Sequence, residues 1–165
     1  MRGRAAGYDA QMSKDRAEDT DQEVLSDFKQ GMAIWAGAVQ AHRQAPPDKD
    51  FAERLATLAK GAKEAARVCR AADTQGFEWP PARKADSEPP YELRPGTGRR
   101  GPRELWQRFD EATTRLGTVA AGTDMLEVAR AFEALADIAG QLSHAIAAED
   151  RGSKRSVQAR GRRSL

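Results

Sequence analysis

Apolar residues recur every three or four positions in four segments of the chain, which is the spacing of side chains on one face of an α-helix. The fourth segment is the most regular, because its apolar positions alternate in steps of three and four from Met125 to Ile146. The pattern predicts helices over about 21–44, 48–73, 102–121 and 124–150. The sequence therefore predicts an all-α protein.

Residues that favour helix ends lie at the borders of these segments. Thr20 precedes Glu23 by three residues, which is the spacing of a capping box at the start of a helix. Pro46 and Pro47 are expected to stop the first helix, because proline lacks the N–H that a helix interior needs. The residues expected to begin the second, third and fourth helices are Asp48, Pro102 and Thr123.

The connections between the segments predict how the helices pair. Only short connections separate the first helix from the second and the third from the fourth, which favours two antiparallel helical hairpins. Residues 74–101 are rich in proline and glycine, so we expect a crossover without regular structure. This crossover either packs along the bundle through Trp79 or serves as a peptide-like binding segment.

We expect the two hairpins to close into a four-helix bundle, and the pattern leaves open that each hairpin pairs with a second chain in a homodimer. The hairpins resemble each other at an offset of about 80 residues, which indicates either an internal duplication or a chance alignment of two amphipathic hairpins. The residues expected in the core are Val24, Phe28, Trp35, Leu55, Leu58, Leu105, Phe109, Leu116, Phe132, Leu135 and Leu142.

Both ends of the chain differ from the helical segments. Residues 1–19 are mixed in charge, so we expect a disordered N-terminal arm, in which Met12 is an alternative start to Met1. Residues 151–165 are basic, contain no acidic residue and have few apolar groups, so we expect a disordered basic tail. The helical bundle is expected over residues 20–150.

Two groups of basic residues are candidates for nucleic-acid binding. In the tail, Arg160-Gly161-Arg162 resembles the core of an AT-hook, whose arginines enter a narrow minor groove, and a generic cationic tail is the alternative. The basic stripe of the second helix either tracks a phosphate backbone or forms a solvent face that the acidic fourth helix neutralises. The candidate residues are Arg151, Lys154, Arg155, Arg160, Arg162 and Arg163 in the tail, and Lys60, Lys63, Arg67 and Arg70 on the second helix.

Few residues are suited to catalysis. Cys69 continues the apolar stripe of the second helix, so we expect a buried and inert thiol. His42 and His144 lack a carboxylate three residues away, and we expect solvated or interfacial imidazoles and no bound metal or other cofactor. The carboxylates of the fourth helix are expected to form a solvated acidic face. We therefore expect a chain that is not an enzyme.

Composition limits the class of protein. The 165 residues fit one domain, and 27 basic against 25 acidic side chains leave a net charge of +2. The sequence shows no apolar run that spans a membrane, no secretory signal and one cysteine, so we expect a cytoplasmic protein. We expect a non-enzymatic accessory or regulatory protein that binds an unknown protein partner, with nonspecific nucleic-acid affinity from its tail. The alternative is a structural or protein-interaction bundle with no nucleic-acid role.

Overall fold

The computed structural model describes residues 5–44, 50–77 and 100–162. Within these ranges the chain forms four helices, α1 (Ala5–Gln44), α2 (Phe51–Thr74), α3 (Arg103–Ala120) and α4 (Met125–Arg162). The described ranges contain no strand, and the prediction of an all-α bundle is confirmed.

The four helices pack in the order α1–α2–α4–α3. α2 and α4 form the most extensive contact, while α1 packs against α2 and α3 packs against α4 on the two outer sides. The two hairpins therefore meet within one chain through their second helices. In each hairpin the first helix lies on the outside and the second lies in the centre. An internal duplication would produce this arrangement.

Contacts near the helix ends fix the direction of each helix. His42, near the end of α1, lies beside Phe51 at the start of α2, so α1 and α2 are antiparallel. Ser143, in the second half of α4, donates a hydrogen bond of 2.6 Å to the carbonyl oxygen of Ala52 in α2. α2 and α4 are therefore antiparallel as well, and α1 runs in the same direction as α4.

The connection between α2 and α3 joins opposite ends of the bundle. α2 ends on the side where α4 begins, whereas Gly101, just before α3, lies against Ile146 in the second half of α4. α2 and α3 are consequently parallel, and a parallel pair requires a long connection. Residues 78–99, which include Trp79, lie outside the described residues. Both interpretations of the crossover therefore stay predictions.

The core combines aliphatic side chains with a few aromatic rings. Trp35 of α1 meets Phe132 of α4 edge-on, with a centroid distance of 5.2 Å. The predicted core residues that are buried are Trp35, Leu55, Leu58, Phe109, Leu116, Phe132, Leu135 and Leu142. Those that are partly buried and pack against the edge of the core are Val24, Phe28 and Leu105.

Two glycines let α1 and α2 approach closely. A Cβ added at Gly31 would lie 2.6 Å from Cγ1 of Val68, and a Cβ added at Gly61 would lie 3.0 Å from Cβ of Ala38. By contrast, a Cβ added at Gly37, on the exposed side of α1, meets no atom within 4 Å among the described residues. Side chains at the first two positions would push the helices apart.

Two of the predicted helix caps are wrong. Thr20 lies inside α1 and donates a hydrogen bond of 2.8 Å to the carbonyl oxygen of Arg16, so it caps no helix. α4 is capped by Asp124 instead of Thr123. The Oδ1 atom of Asp124 accepts hydrogen bonds of 2.9 and 3.3 Å from backbone N–H groups two and three residues later.

The starts of α2 and α3 also differ from expectation. Asp50 precedes α2 in a left-handed conformation, with φ of 55°, and its side chain makes no capping hydrogen bond. Asp48, the expected cap, lies outside the described residues. Pro102 occupies the cap position before α3 instead of its first turn.

Both α1 and α4 extend past their predicted ends. α1 begins at Ala5, so the structure has a helix from Ala5 onward in the segment where we expected a disordered arm. α4 continues to Arg162, so the structure has a helix over 151–162, where we expected a disordered basic tail. The prediction rested on the lack of apolar partners, but a residue added to an existing helix needs no new nucleus. No proline interrupts either extension.

Candidate nucleic-acid interface

The predicted basic tail is a helical extension of α4. Ile146 is the last buried residue of α4, and every side chain from Arg151 to Arg162 is exposed. We call residues 151–162 the basic arm, which extends about 18 Å beyond the core-packed part of α4. The cations of the basic arm are Arg151, Lys154, Arg155, Arg160 and Arg162, and the arm contains no acidic residue. Arg163 lies outside the described residues.

Helical geometry divides the cations of the basic arm between two sides. At about 100° per residue, Arg151, Lys154, Arg155 and Arg162 fall within one stripe, and Arg160 points to the opposite side. The helical backbone at positions 160–162 also differs from the extended backbone with which an AT-hook enters a minor groove. This conformation therefore favours a generic cationic surface over an AT-hook.

The base of the basic arm is joined to the segment before α3. Arg100 forms an ion pair with Asp150, the residue immediately before the arm. The indole N–H of Trp106 donates a hydrogen bond of 2.7 Å to the carbonyl oxygen of Arg100. These contacts hold the last core-packed turn of α4, so the direction of the arm is set by the bundle.

The basic stripe on α2 is partly occupied by carboxylates of the same chain. Arg67 donates hydrogen bonds of 2.9 and 3.0 Å to both carboxylate oxygens of Asp27 in α1. Its Nη2 atom also donates a hydrogen bond of 2.6 Å to Oε1 of Glu64, one turn earlier on α2. The guanidinium of Arg67 therefore joins α1 to α2.

Arg70 makes the equivalent link between α2 and α4. Its Nε and Nη2 atoms donate hydrogen bonds of 2.5 and 2.8 Å to the two carboxylate oxygens of Glu133. This paired geometry is the strongest that an arginine forms with a carboxylate. An acidic residue of α4 thus neutralises part of the stripe, as the solvent-face interpretation predicted.

The pairing with arginine also lowers the pKa values of the three carboxyl groups. The hydrogen bonds from Arg67 lower the pKa values of Asp27 and Glu64 below the usual carboxylate range, and those from Arg70 lower the pKa of Glu133. A phosphate bound to either arginine would compete with these charged carboxylates. Lys60 and Lys63 are exposed and form no ion pair with any described residue.

Among the groups considered for catalysis, the thiol of Cys69 is buried and three carboxylates of α4 serve structural contacts. Cys69 is fully buried, and burial raises the pKa of its thiol to about 12, so the reactive thiolate is disfavoured. On α4, Asp124 caps the helix, while Glu133 and Asp150 form ion pairs with arginines. The described residues include no group of three or more histidine, cysteine, aspartate or glutamate side chains placed to hold a metal ion.

Sequence reasoning missed an aromatic cluster where α1 ends and α2 and α3 begin. Ring centroids lie 5.5 Å apart for His42 and Phe51, 5.8 Å for Phe51 and Trp106, and 5.4 Å for Trp106 and Phe109. Arg54 stands over the ring of Phe51 at 5.4 Å. Only the contact between Phe51 and Trp106 joins distant parts of the chain, and no local signal predicts it, because it depends on the pairing of the helix ends.

His42 is interfacial and His144 is exposed. Burial, with a smaller contribution from the nearby charge of Arg54, lowers the pKa of His42 to about 4. Its Nδ1 atom has no hydrogen-bond partner among the described residues. The imidazole of His42 is therefore neutral near pH 7 and acts as a flat, weakly polar ring within the aromatic cluster.

A groove of about 880 Å³ follows one face of α3. Its lining residues are Gly101, Arg103, Trp106, Gln107, Asp110, Glu111, Thr114 and Arg115. The charged residues of this lining are two arginines and two carboxylates, so the groove offers no field of one sign to a charged ligand.

No protein-family model, curated protein or solved structure matches this chain. Among the described helices, none is long and apolar enough to cross a bilayer. The candidate function therefore depends on the surfaces described above.

Proposed function

We propose that the chain is a non-enzymatic accessory or regulatory protein of the cytoplasm that acts by binding. In this proposal the helical bundle contacts a protein partner, and the basic arm adds affinity for nucleic acid. The observation that carries the proposal is the basic arm, a fully exposed helix that presents five cations and no acidic residue beyond the bundle. Such a surface gains affinity for a phosphate backbone by releasing the counterions that the backbone holds.

The arrangement of the stripe suits contact with several phosphates at once. Arg151 and Arg162 lie about 16 Å apart along the helix axis, and Lys154 and Arg155 lie between them on the same side. Phosphates along one strand of a duplex are about 3.4 Å apart along its axis, so the stripe spans several of them. The contacts would be with the backbone and would carry little sequence preference.

The basic stripe of α2 is a weaker candidate for the same role. Arg67 and Arg70 are engaged with carboxylates of α1, α2 and α4, which leaves Lys60 and Lys63 as the exposed cations of that surface. These pairings favour the alternative in which the basic stripe of α2 holds the helices together and binds no nucleic acid. If the basic arm also lacked affinity for nucleic acid, the chain would be a protein-interaction bundle only.

The first experiment is fluorescence anisotropy of a labelled DNA duplex and a labelled single strand, titrated with the full chain and with a chain that ends at Asp150. Measurements at low and near-physiological salt separate counterion release from apolar binding. If the four cations of the stripe each contact one phosphate of the duplex, log K falls against log salt with a slope of about −3.6. The shortened chain should lose this binding.

Matched single variants test the geometry of the basic arm. Arg155→Gln removes a charge from the stripe and should make the salt slope smaller by about one phosphate contact, whereas Arg160→Gln removes a charge from the opposite side and should change it less. A variant with Lys60→Gln and Lys63→Gln should bind as the full chain does. Equal binding by the full and shortened chains would reject the basic arm as the site, and no binding by either at low salt would reject the nucleic-acid role.

A further inference from the structure

The N-terminal part of α1 is a second exposed helical extension, and its charge is opposite to that of the basic arm. We call residues 12–23 of α1 the acidic arm. Every described side chain in this range is exposed, and Val24 is the first that packs against the core. The acidic side chains of this arm are Asp15, Glu18, Asp19, Asp21 and Glu23, and its basic side chains are Lys14 and Arg16.

The two arms carry their charges at the same helical spacing. In the acidic arm, Asp15, Glu18 and Asp19 stand at positions i, i+3 and i+4, and Gln22 follows at i+7. In the basic arm, the same positions are Arg151, Lys154, Arg155 and Gln158. Residues at this spacing share one side of a helix, so each arm carries three charges of one sign on one side, and these charges match position by position.

The two arms emerge from opposite ends of the bundle. α1 and α4 run in the same direction, the acidic arm precedes the core-packed part of α1, and the basic arm follows the core-packed part of α4. The part of α4 within the bundle, from Met125 to Asp150, is about 39 Å long. The acidic arm of one molecule therefore lies far from the basic arm of the same molecule.

We propose that the acidic arm of one molecule docks against the basic arm of a second copy of this chain. Two copies stacked end to end in the same orientation bring these arms together as parallel helices, so that these charges can align position by position. The interface is heterologous, because the two partners contribute different surfaces. Each added copy leaves one acidic and one basic arm unoccupied, so the association continues into a row or closes into a ring.

The strength of this association follows from its exposure. Exposed ion pairs contribute little individually and are screened by salt, so the contact is weak and fails at high ionic strength. Nucleic acid on the basic arm would compete with the second copy for the same cations. The proposal stands without the proposed function, because the contact between copies involves no nucleic acid.

Sedimentation velocity of the full chain at about 50 and 500 mM salt gives the first test, since these conditions change the screening length several-fold. The sedimentation coefficient should rise with protein concentration at low salt and stay constant at high salt. Sedimentation as a monomer at every concentration in low salt would overturn the proposal, and so would concentration-dependent association that is as strong in high salt.

Two charge-reversed variants identify the arms. Variant A carries Asp15→Lys, Glu18→Lys and Asp19→Lys, which makes both arms basic, and variant B makes both arms acidic. The substitutions in variant B are Arg151→Glu, Lys154→Glu and Arg155→Glu. Each variant alone should associate at least about tenfold more weakly than the original chain, because it lacks three exposed pairs.

An equimolar mixture of variants A and B should recover the association, because every basic arm then finds an acidic arm on the other variant. Failure of the mixture to associate would overturn the proposal, as would association of either variant alone at the original strength. Circular dichroism of each variant checks that the helices are retained. If a variant does not fold, the salt dependence of association by the unchanged chain still tests the proposal.

Duplex binding by the same variants separates this proposal from the proposed function. Variant A keeps the basic arm and should bind a duplex while it no longer self-associates, whereas variant B should lose both properties. If the original chain binds no duplex but the mixture of A and B associates, only the proposed function fails. If duplex binding depends on the basic arm and the mixture stays monomeric, only the contact between copies fails.

Discussion

At the residue scale, two glycines of α1 provide a matched test of the α1–α2 contact. Gly31→Ala should lower the free energy of unfolding by about 1–3 kcal/mol, because the added Cβ overlaps the side chain of Val68. Gly37→Ala should raise it by about 0.5–1 kcal/mol, because alanine is the better helix former and nothing obstructs its methyl group. Urea unfolding of both variants measures the difference, and equal effects would show that α1 and α2 do not approach as closely as described.

His42 gives the bundle a pH dependence of predictable sign. Its pKa is lowered from 6.5 to about 4 in the folded chain, so the folded state favours the neutral imidazole. This contribution to stability is complete above about pH 6.5 and is lost as the pH falls towards 4, because the unfolded chain binds the proton first. Thermal unfolding at a series of pH values should therefore show a smaller loss of stability between pH 7 and 4 for His42→Gln.

His144 is the matched control for this measurement. Its side chain is exposed on α4, so His144→Gln removes no buried ring and should change the free energy of unfolding at pH 7 little. A pH profile of His42→Gln that coincides with that of the original chain would contradict the burial of His42. The acid-induced loss below pH 4 should persist in both variants, because the lowered pKa values of Asp27, Glu64 and Glu133 belong to other contacts.

At the scale of elements, the basic arm is helical although nothing covers it. Gly152 lies near its base, and a Cβ added there meets no described atom within 4 Å. Gly152→Ala should preserve or increase the helical signal in circular dichroism, whereas Gly152→Pro should decrease it by up to about a tenth. Because the arm contributes no buried side chain, neither variant should shift the melting temperature strongly. A large shift for Gly152→Ala would mean that the arm packs against the bundle.

The elements also show what the apolar period can predict. Burial of Leu55, Phe109 and Leu135 follows from their spacing, because only one side of each helix faces the core. The helix ends do not follow from that spacing. By sequence alone, Thr123 and Asp124 are equally good caps for α4, and only the hydrogen bonds of the structure show that Asp124 is the cap. The lengths of α1 and α4 do not follow from the spacing either, because the two arms continue these helices without any apolar partner.

At the scale of the whole molecule, composition was enough to identify the two groups of basic residues, but not the acidic arm or the carboxylates that pair with the stripe of α2. The cations of the basic arm are recognisable because no acidic residue interrupts them. Asp27 lies 40 residues from Arg67 and Glu133 lies 63 residues from Arg70, so predicting these two pairs requires the order in which the helices pack. The opposite placement of the acidic and basic arms likewise depends on the parallel course of α1 and α4.

The central position of α2 and α4 determines how the chain could be divided. A cut in the crossover would separate two hairpins, and each would retain one helix of the α2–α4 pair with its buried face uncovered. Neither fragment would hold a complete core, since the largest contact in the molecule belongs to both. The two fragments would thus need each other to fold, and their reassociation from separate solutions would rebuild the bundle without a covalent connection.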